Sequence, residues 1–171
     1  MKFKLFLSLV AITIFIVNSF LLFSQVKNTN SIVSHSGDLH LLSKRASWLN
    51  TTQKLEVDVA NRVEKIIRDA EKMGLCLVVT SSFRSLDDQL KMKEKYGQLA
   101  EDPGKSEHHT GRAVDFTACP MSLGVRDDDA ARDDLLKDFE ELPEYKWLVE
   151  NSYKYGIEQT YSHESWHWYF R

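Results

Sequence analysis

Ser106-Glu107-His108-His109-Thr110-Gly111-Arg112-Ala113-Val114-Asp115 is the stretch on which the reading of this chain turns. From Arg112 to Thr117 the residues alternate. Ala113, Asp115 and Thr117 share one face, and Val114 and Phe116 the other, which predicts a strand with Val114 and Phe116 on the core side. Asp115 then emerges beside the small Ala113, where something has room to approach. His108 precedes the strand in a turn made flexible by Gly111. Histidines and a carboxylate so close together are metal-binding chemistry, but not at the His-Glu-x-x-His spacing of a helix. His108 and Asp115 would converge on one ion from a turn and a strand.

A catalytic zinc takes three protein ligands and keeps a fourth position open, and two histidines with one carboxylate is a recurrent set. The third ligand has to come from elsewhere. Glu164-Ser165-Trp166-His167, almost at the C-terminus, offers His167 on the last expected strand. Glu164 can act on a water without itself ligating metal, as an acid/base partner. The plainer reading of the same residues is a histidine pair in a loop and a hydrogen-bonded structural aspartate.

The surrounding patterns give a single domain. With 171 residues and 43% hydrophobic content, the chain has enough apolar side chains for a real core. Lys54 to Met73 carries Leu55, Val59, Val63, Ile66, Ala70 and Met73 at helical steps, with Gly74 as the stop. Leu75 to Thr80 is a short apolar strand, and Ser81 to Ser85 is the turn after it. Ser85 and Asp88 open a helix from Leu86 to Tyr96. That places Arg84 on a strand-to-helix turn, with Gln89 five residues further on. Asp127-Asp128-Asp129 suits the positive end of a helix running to Leu142, and lacks the glycine and distal glutamate of a calcium loop. Pro143 starts the next helix, which Gly156 ends. Ile157 to Tyr161 and Trp166 to Phe170 read as a closing strand pair around Ser162-His163.

The formal charge is −3, and no basic footprint for nucleic acid is present. Met1-Lys2-Phe3-Lys4 and the uncharged run Leu5 to Phe23 predict a signal anchor over residues 1–25, in preference to a cleaved signal peptide. The two lysines keep the N-terminus in the cytoplasm and the domain outside. Residues 26–51 read as a linker, with His35 and His40 as solvated loop residues, and residues 52–171 as the domain. Cys76 and Cys119 form either one disulfide or two separate buried thiols.

Ser106-x-His108-x-x-Gly111-x-Ala113-x-Asp115 followed by Glu164-x-Trp166-His167 resembles the signature of the zinc D-alanyl-D-alanine peptidases, and is most similar to VanY-type carboxypeptidases. Phe83-Arg84-Ser85 with Gln89 resembles that family's Tyr-Arg-Ser-x-x-x-Gln element, and the Lys146-Trp147-Leu148 helix and Tyr155-Gly156 stop fit the same order. The resemblance implies a small α+β domain, an antiparallel sheet flanked by helices in the Hedgehog/DD-peptidase-like fold, preceded here by the membrane helix. It implies one zinc ion per domain on His108, Asp115 and His167, choosing His108 over His109. Glu164 would be the catalytic base and Arg84 a catalytic and substrate-binding residue, with Gln89 and Ser106 also substrate-binding. Trp168 falls either in the pocket wall or in the core.

The implied activity is D,D-carboxypeptidase hydrolysis of peptidoglycan stem peptides, by a monomeric enzyme in the bacterial cell envelope. L,D-carboxypeptidase and L-alanyl-D-glutamate endopeptidase activity are alternatives with the same apparatus. A non-catalytic zinc-containing wall-binding module is the alternative of another class. Phe83 in place of the usual Tyr, and Gln159-Thr160-Tyr161 where relatives often carry Arg-Tyr-Pro, leave the metal residues intact and bear on substrate preference.

Overall fold

The structure, a computed structural model, describes residues 37–48, 51–119, 134 and 136–171, all within the unit Val33–Arg171. The signal anchor expected over 1–25 and the aspartates at 127–129 lie outside the described residues. Among the described residues no helix is long and apolar enough to cross a membrane.

The alternation around Asp115 forms the expected strand, and the sheet is built on it. β3 (Leu77–Ser81), β4 (Ala113–Ala118), β6 (His167–Phe170) and β5 (Ile157–Glu158) lie side by side in that order, each pair antiparallel. Val114 and Phe116 of β4 and Trp168 and Phe170 of β6 are buried in one apolar core. Asp115 and His167 are register partners on those strands. The pleat puts both on the face opposite the core residues.

A separate two-stranded sheet joins β1 (Leu39–Leu41) to β2 (Lys54–Glu56). Residues 37–48, read from the sequence as linker, are therefore folded into the domain. Leu42, Ala46 and Trp48 are buried, and the Trp48 and Val79 main chains exchange hydrogen bonds with Val79 and Ala46 at 2.8 Å. His40 is exposed as expected, but on a strand. The period missed this segment because its burial comes from pairing with distant strands, and three-residue strands carry too little pattern to read.

β2 also displaces the start of the expected helix. α1 spans Val57–Lys72, because Lys54–Glu56 pair with β1 and the Glu56 N–H donates to the Gly111 carbonyl at 3.0 Å. Tertiary pairing outweighs helix propensity there. Val59, Ala60, Val63, Ile66, Ile67 and Ala70 form the buried stripe, whereas Met73 follows the helix end and is exposed. α2 (Leu86–Tyr96) begins at Ser85, whose Oγ accepts from the Asp88 N–H at 3.1 Å, as the capping pattern predicts. α3 (Pro143–Asn151) has Pro143 in its first turn. The helix expected to reach Leu142 ends in a 3-10 turn, Phe139–Glu141. Cys76 and Cys119 form a disulfide that ties the start of β3 to the end of β4.

Candidate metal centre

His108 sits in a 3-10 turn, Glu107–Thr110, closed by Gly111 in the left-handed conformation at φ 71°. The glycine is required twice over. L side chains disfavour that φ, and a Cβ would press on Leu39 at 3.1 Å. Gly111 thus fixes the turn against the β1–β2 sheet, where sequence reading had it supply flexibility. His108 and the start of β4 are held in one arrangement.

His108, Asp115 and His167 are all buried, and one ligand atom from each lies within 4.8 Å of the others. His108 Nε2 is 3.3 Å from Asp115 Oδ1, and His167 Nδ1 is 2.9 Å from the same oxygen. The two imidazoles meet edge to face at 5.0 Å between centroids. Each ring's outer nitrogen has its own partner. His108 Nδ1 donates to the Ser82 carbonyl at 2.8 Å, and His167 Nε2 donates to Glu107 Oε2 at 2.9 Å. Carbonyl and carboxylate oxygens only accept, so these bonds place protons on the outer nitrogens. In the metal-free group His167 Nδ1 also donates to Asp115 Oδ1, and that inner proton is the one a cation would displace. Two inward imidazole nitrogens and a carboxylate oxygen, with their outer atoms satisfied, fit a zinc ion.

Electrostatics of the metal-free group agree with that geometry. Burial would raise the Asp115 carboxyl, but the charge and hydrogen bonds of His108 and His167 hold it far below the usual range. Burial would lower His167, yet hydrogen bonds and charge from Asp115 and Glu107, with Glu164 adding, push it up to about 9. For His108 burial wins over the pull of Asp115, and its pKa falls. Without a cation the proton therefore resides on His167.

Arg84 extends from the turn after β3. A register shift between Val79 and Ser81 bends the strand there. Its guanidinium donates to Ser81 Oγ at 2.7 Å and Gln89 Oε1 at 2.8 Å, and its Nη2 is 4.0 Å from Asp115 Oδ2. Gln89 is 1% exposed, and its amide N–H2 donates to the Glu101 carbonyl at 2.8 Å. Both ends of Gln89 are thus committed to Arg84 and the 101 loop. It borders the cavity while holding the arginine in place. His109 points away from the three-residue group: its Nδ1 donates to the Arg84 carbonyl at 2.7 Å and its Nε2 accepts from the Gly104 N–H at 3.0 Å. His108, and not His109, is the histidine of this turn that lies with Asp115 and His167.

The group opens into a cavity of about 880 Å³ lined also by Arg84, Ser106, Tyr161, Glu164 and Trp166. Glu164 follows the Ser162-His163 turn, whose main chain is tied down by Gln159 Nε2 donating to the Tyr161 and Glu164 carbonyls at 3.1 and 3.3 Å. Burial raises the Glu164 carboxyl; His167 and His163 oppose the rise, and Asp115 and Glu101 add to it. Trp168 is in the core at 2% exposure, and Trp166 takes the wall position instead. Sequence reading missed Tyr161, whose ring lies 5.3 Å from that of His167, and Glu107. Neither stands at a spacing that marks it; the pairing of β6 with β4 brings His167 to both.

The chain belongs to the VanY D-alanyl-D-alanine carboxypeptidase family, whose model matches residues 52–171. A D-alanyl-D-alanine carboxypeptidase of Enterococcus faecium is 26% identical over 111 residues, 64% of this chain and 31% of its own. The chain spans less than half the length of the curated relatives it matches. Among solved structures, the LdcB LD-carboxypeptidase is similar at 25% identity and a TM-score of 0.59, over 80% of this chain and 69% of its own. A VanY D,D-pentapeptidase solved in complex with Zn(II) shares the fold at 20% identity and a TM-score of 0.54, over 79% and 80% of the two chains.

Proposed function

We propose that this chain is a zinc-dependent D-alanyl-D-alanine carboxypeptidase that removes the terminal residue of peptidoglycan stem peptides. The observation that carries this reading is the convergence of His108, Asp115 and His167 at the floor of a cavity that Glu164 and Arg84 also border. A zinc ion held by those three residues would supply Lewis-acid polarisation and would acidify water toward a pKa of about 7. Glu164, its carboxyl raised by burial, takes the proton from the water that adds to the scissile carbonyl carbon. It then delivers that proton to the departing amine as the carbon–nitrogen bond breaks. Arg84 presents positive charge beside the forming oxyanion and steadies substrate, with Gln89 fixing its direction. Ser106, buried on the cavity wall, contributes a hydroxyl to substrate binding.

The disulfide supports an oxidising compartment, consistent with an extracytoplasmic domain of the bacterial envelope behind the 1–25 anchor. The likeness to an LD-carboxypeptidase at 25% identity supports tetrapeptide trimming as the second reading. Incubating the full chain with penta- and tetrapeptide muropeptides and weighing the products separates the two. Release of D-alanine from pentapeptides alone is expected. Glu164→Gln should lower the rate roughly 10²–10⁴-fold while about one zinc stays bound, the share general acid–base catalysis contributes. Zinc bound with every stem peptide intact would instead mark a wall-binding module.

A further inference from the structure

We propose that Glu107 is a positioning residue that sets the tautomer and direction of His167, an inference that rests on the zinc reading above. One carboxylate oxygen, Glu107 Oε2, accepts from both His167 Nε2 and Thr160 Oγ1, each at 2.9 Å. The residue stands on the same 3-10 turn as His108, and its own carbonyl is tied by Thr110 Oγ1 at 2.7 Å. Glu107 therefore links the turn that carries one histidine to the strand that carries the other.

The need for such a residue follows from what else surrounds the His167 ring. In the metal-free group Asp115 Oδ1 accepts from the inner nitrogen, a bond that a bound ion replaces, and the Tyr161 ring lies tilted against the imidazole at 5.3 Å. An aromatic neighbour restrains the ring but is indifferent to which nitrogen carries the proton. Glu107 is not indifferent, because a carboxylate accepts only, and so demands an N–H at Nε2. Nδ1 is then the nitrogen left to the ion. The two histidines differ in this respect: a neutral main-chain carbonyl holds His108, and a charged carboxylate holds His167.

Zinc affinity of the full chain, measured by competition with a chelating indicator, tests this together with imidazole nitrogen chemical shifts of the zinc-loaded protein. Glu107→Ala should bind zinc about 10–100-fold more weakly, the usual loss when a group orienting a metal-bound histidine is removed. Its His167 nitrogens should no longer show the single pattern of a protonated Nε2 and a metal-bound Nδ1. Glu107→Gln, which keeps an acceptor oxygen, should restore that pattern and part of the affinity. Zinc bound equally by parent and Glu107→Ala sinks the positioning role alone. Weaker binding with the nitrogen pattern unchanged also overturns it, because the loss would then be a general loosening of the turn. Zinc bound by neither protein sinks the metal reading beneath it.

Discussion

The two faces of β4 are buried to nearly the same degree and are held by opposite physics. On one face Val114 and Phe116 are fully buried against Trp168, Phe170 and α1 residues, where dispersion and water exclusion act without direction. On the other, Asp115 is 8% exposed and Thr117 is fully buried, yet Asp115 is encircled by His108, His167 and Arg84. The first face needs only volume and shape. The second needs each charged group matched, because an unmatched buried charge costs several kcal/mol. A site assembled on a strand thus inherits its rigidity from the apolar side and its chemistry from the polar one.

Cutting the apolar side should produce the largest effect. Phe116→Ala is expected to cost about 3–5 kcal/mol in chemical denaturation, the range for a buried aromatic truncated to alanine. Zinc binding by the fraction still folded should be little changed. Asp115→Asn should do the reverse, weakening zinc binding about 100-fold, or roughly 2.8 kcal/mol, with the fold retained by circular dichroism. If Asp115→Asn unfolded the chain as Phe116→Ala does, the division of labour between the faces would be wrong.

A pH series on the metal-free chain sharpens the same contrast. His167 is raised to about 9, above the ordinary value near 6.5, so its contribution to stability is fully present below pH ~6.5. It is lost as pH rises through about 9, and the total is about 3–4 kcal/mol by linkage. Thermal melts of the chelator-treated protein from pH 6 to 10 should show that decline, and His167→Gln should flatten it. Zinc affinity should climb over the same window as the ion ceases to compete with a proton at Nδ1. The smallest effect is expected at Thr117, whose Oγ1 finds no hydrogen-bond partner among the described residues. Thr117→Val should be neutral or stabilising by up to about 1 kcal/mol, because an unmatched buried hydroxyl is replaced by a methyl of like shape. A clear loss of stability on that change would reveal a partner for the hydroxyl.

Much of this was legible in residue order because the deciding signals are local. Alternation around Asp115 identified β4 and its core face, the apolar stripe identified α1, and Ser85 marked the start of α2. The family resemblance added His108, His167, Glu164 and Arg84 as a set, and the geometry brings these together around one cavity. Local signals also misled where distant pairing prevailed. Lys54–Glu56 joined β1 instead of α1, and Leu42, Ala46 and Trp48 entered the core from a stretch that reads as linker.

By itself, then, the sequence determined the family, the α+β class, the period of each main element and which residues have metal-ligating chemistry. These depend on side-chain type and on spacings of two to four residues. Only the tertiary structure decided which nitrogen of each histidine faces inward, that Gln89 aims Arg84, that Cys76 meets Cys119 and that Glu107 reaches His167. Each of those is a contact between segments far apart in the chain, whose angle and distance exist only once β3, β4 and β6 are paired.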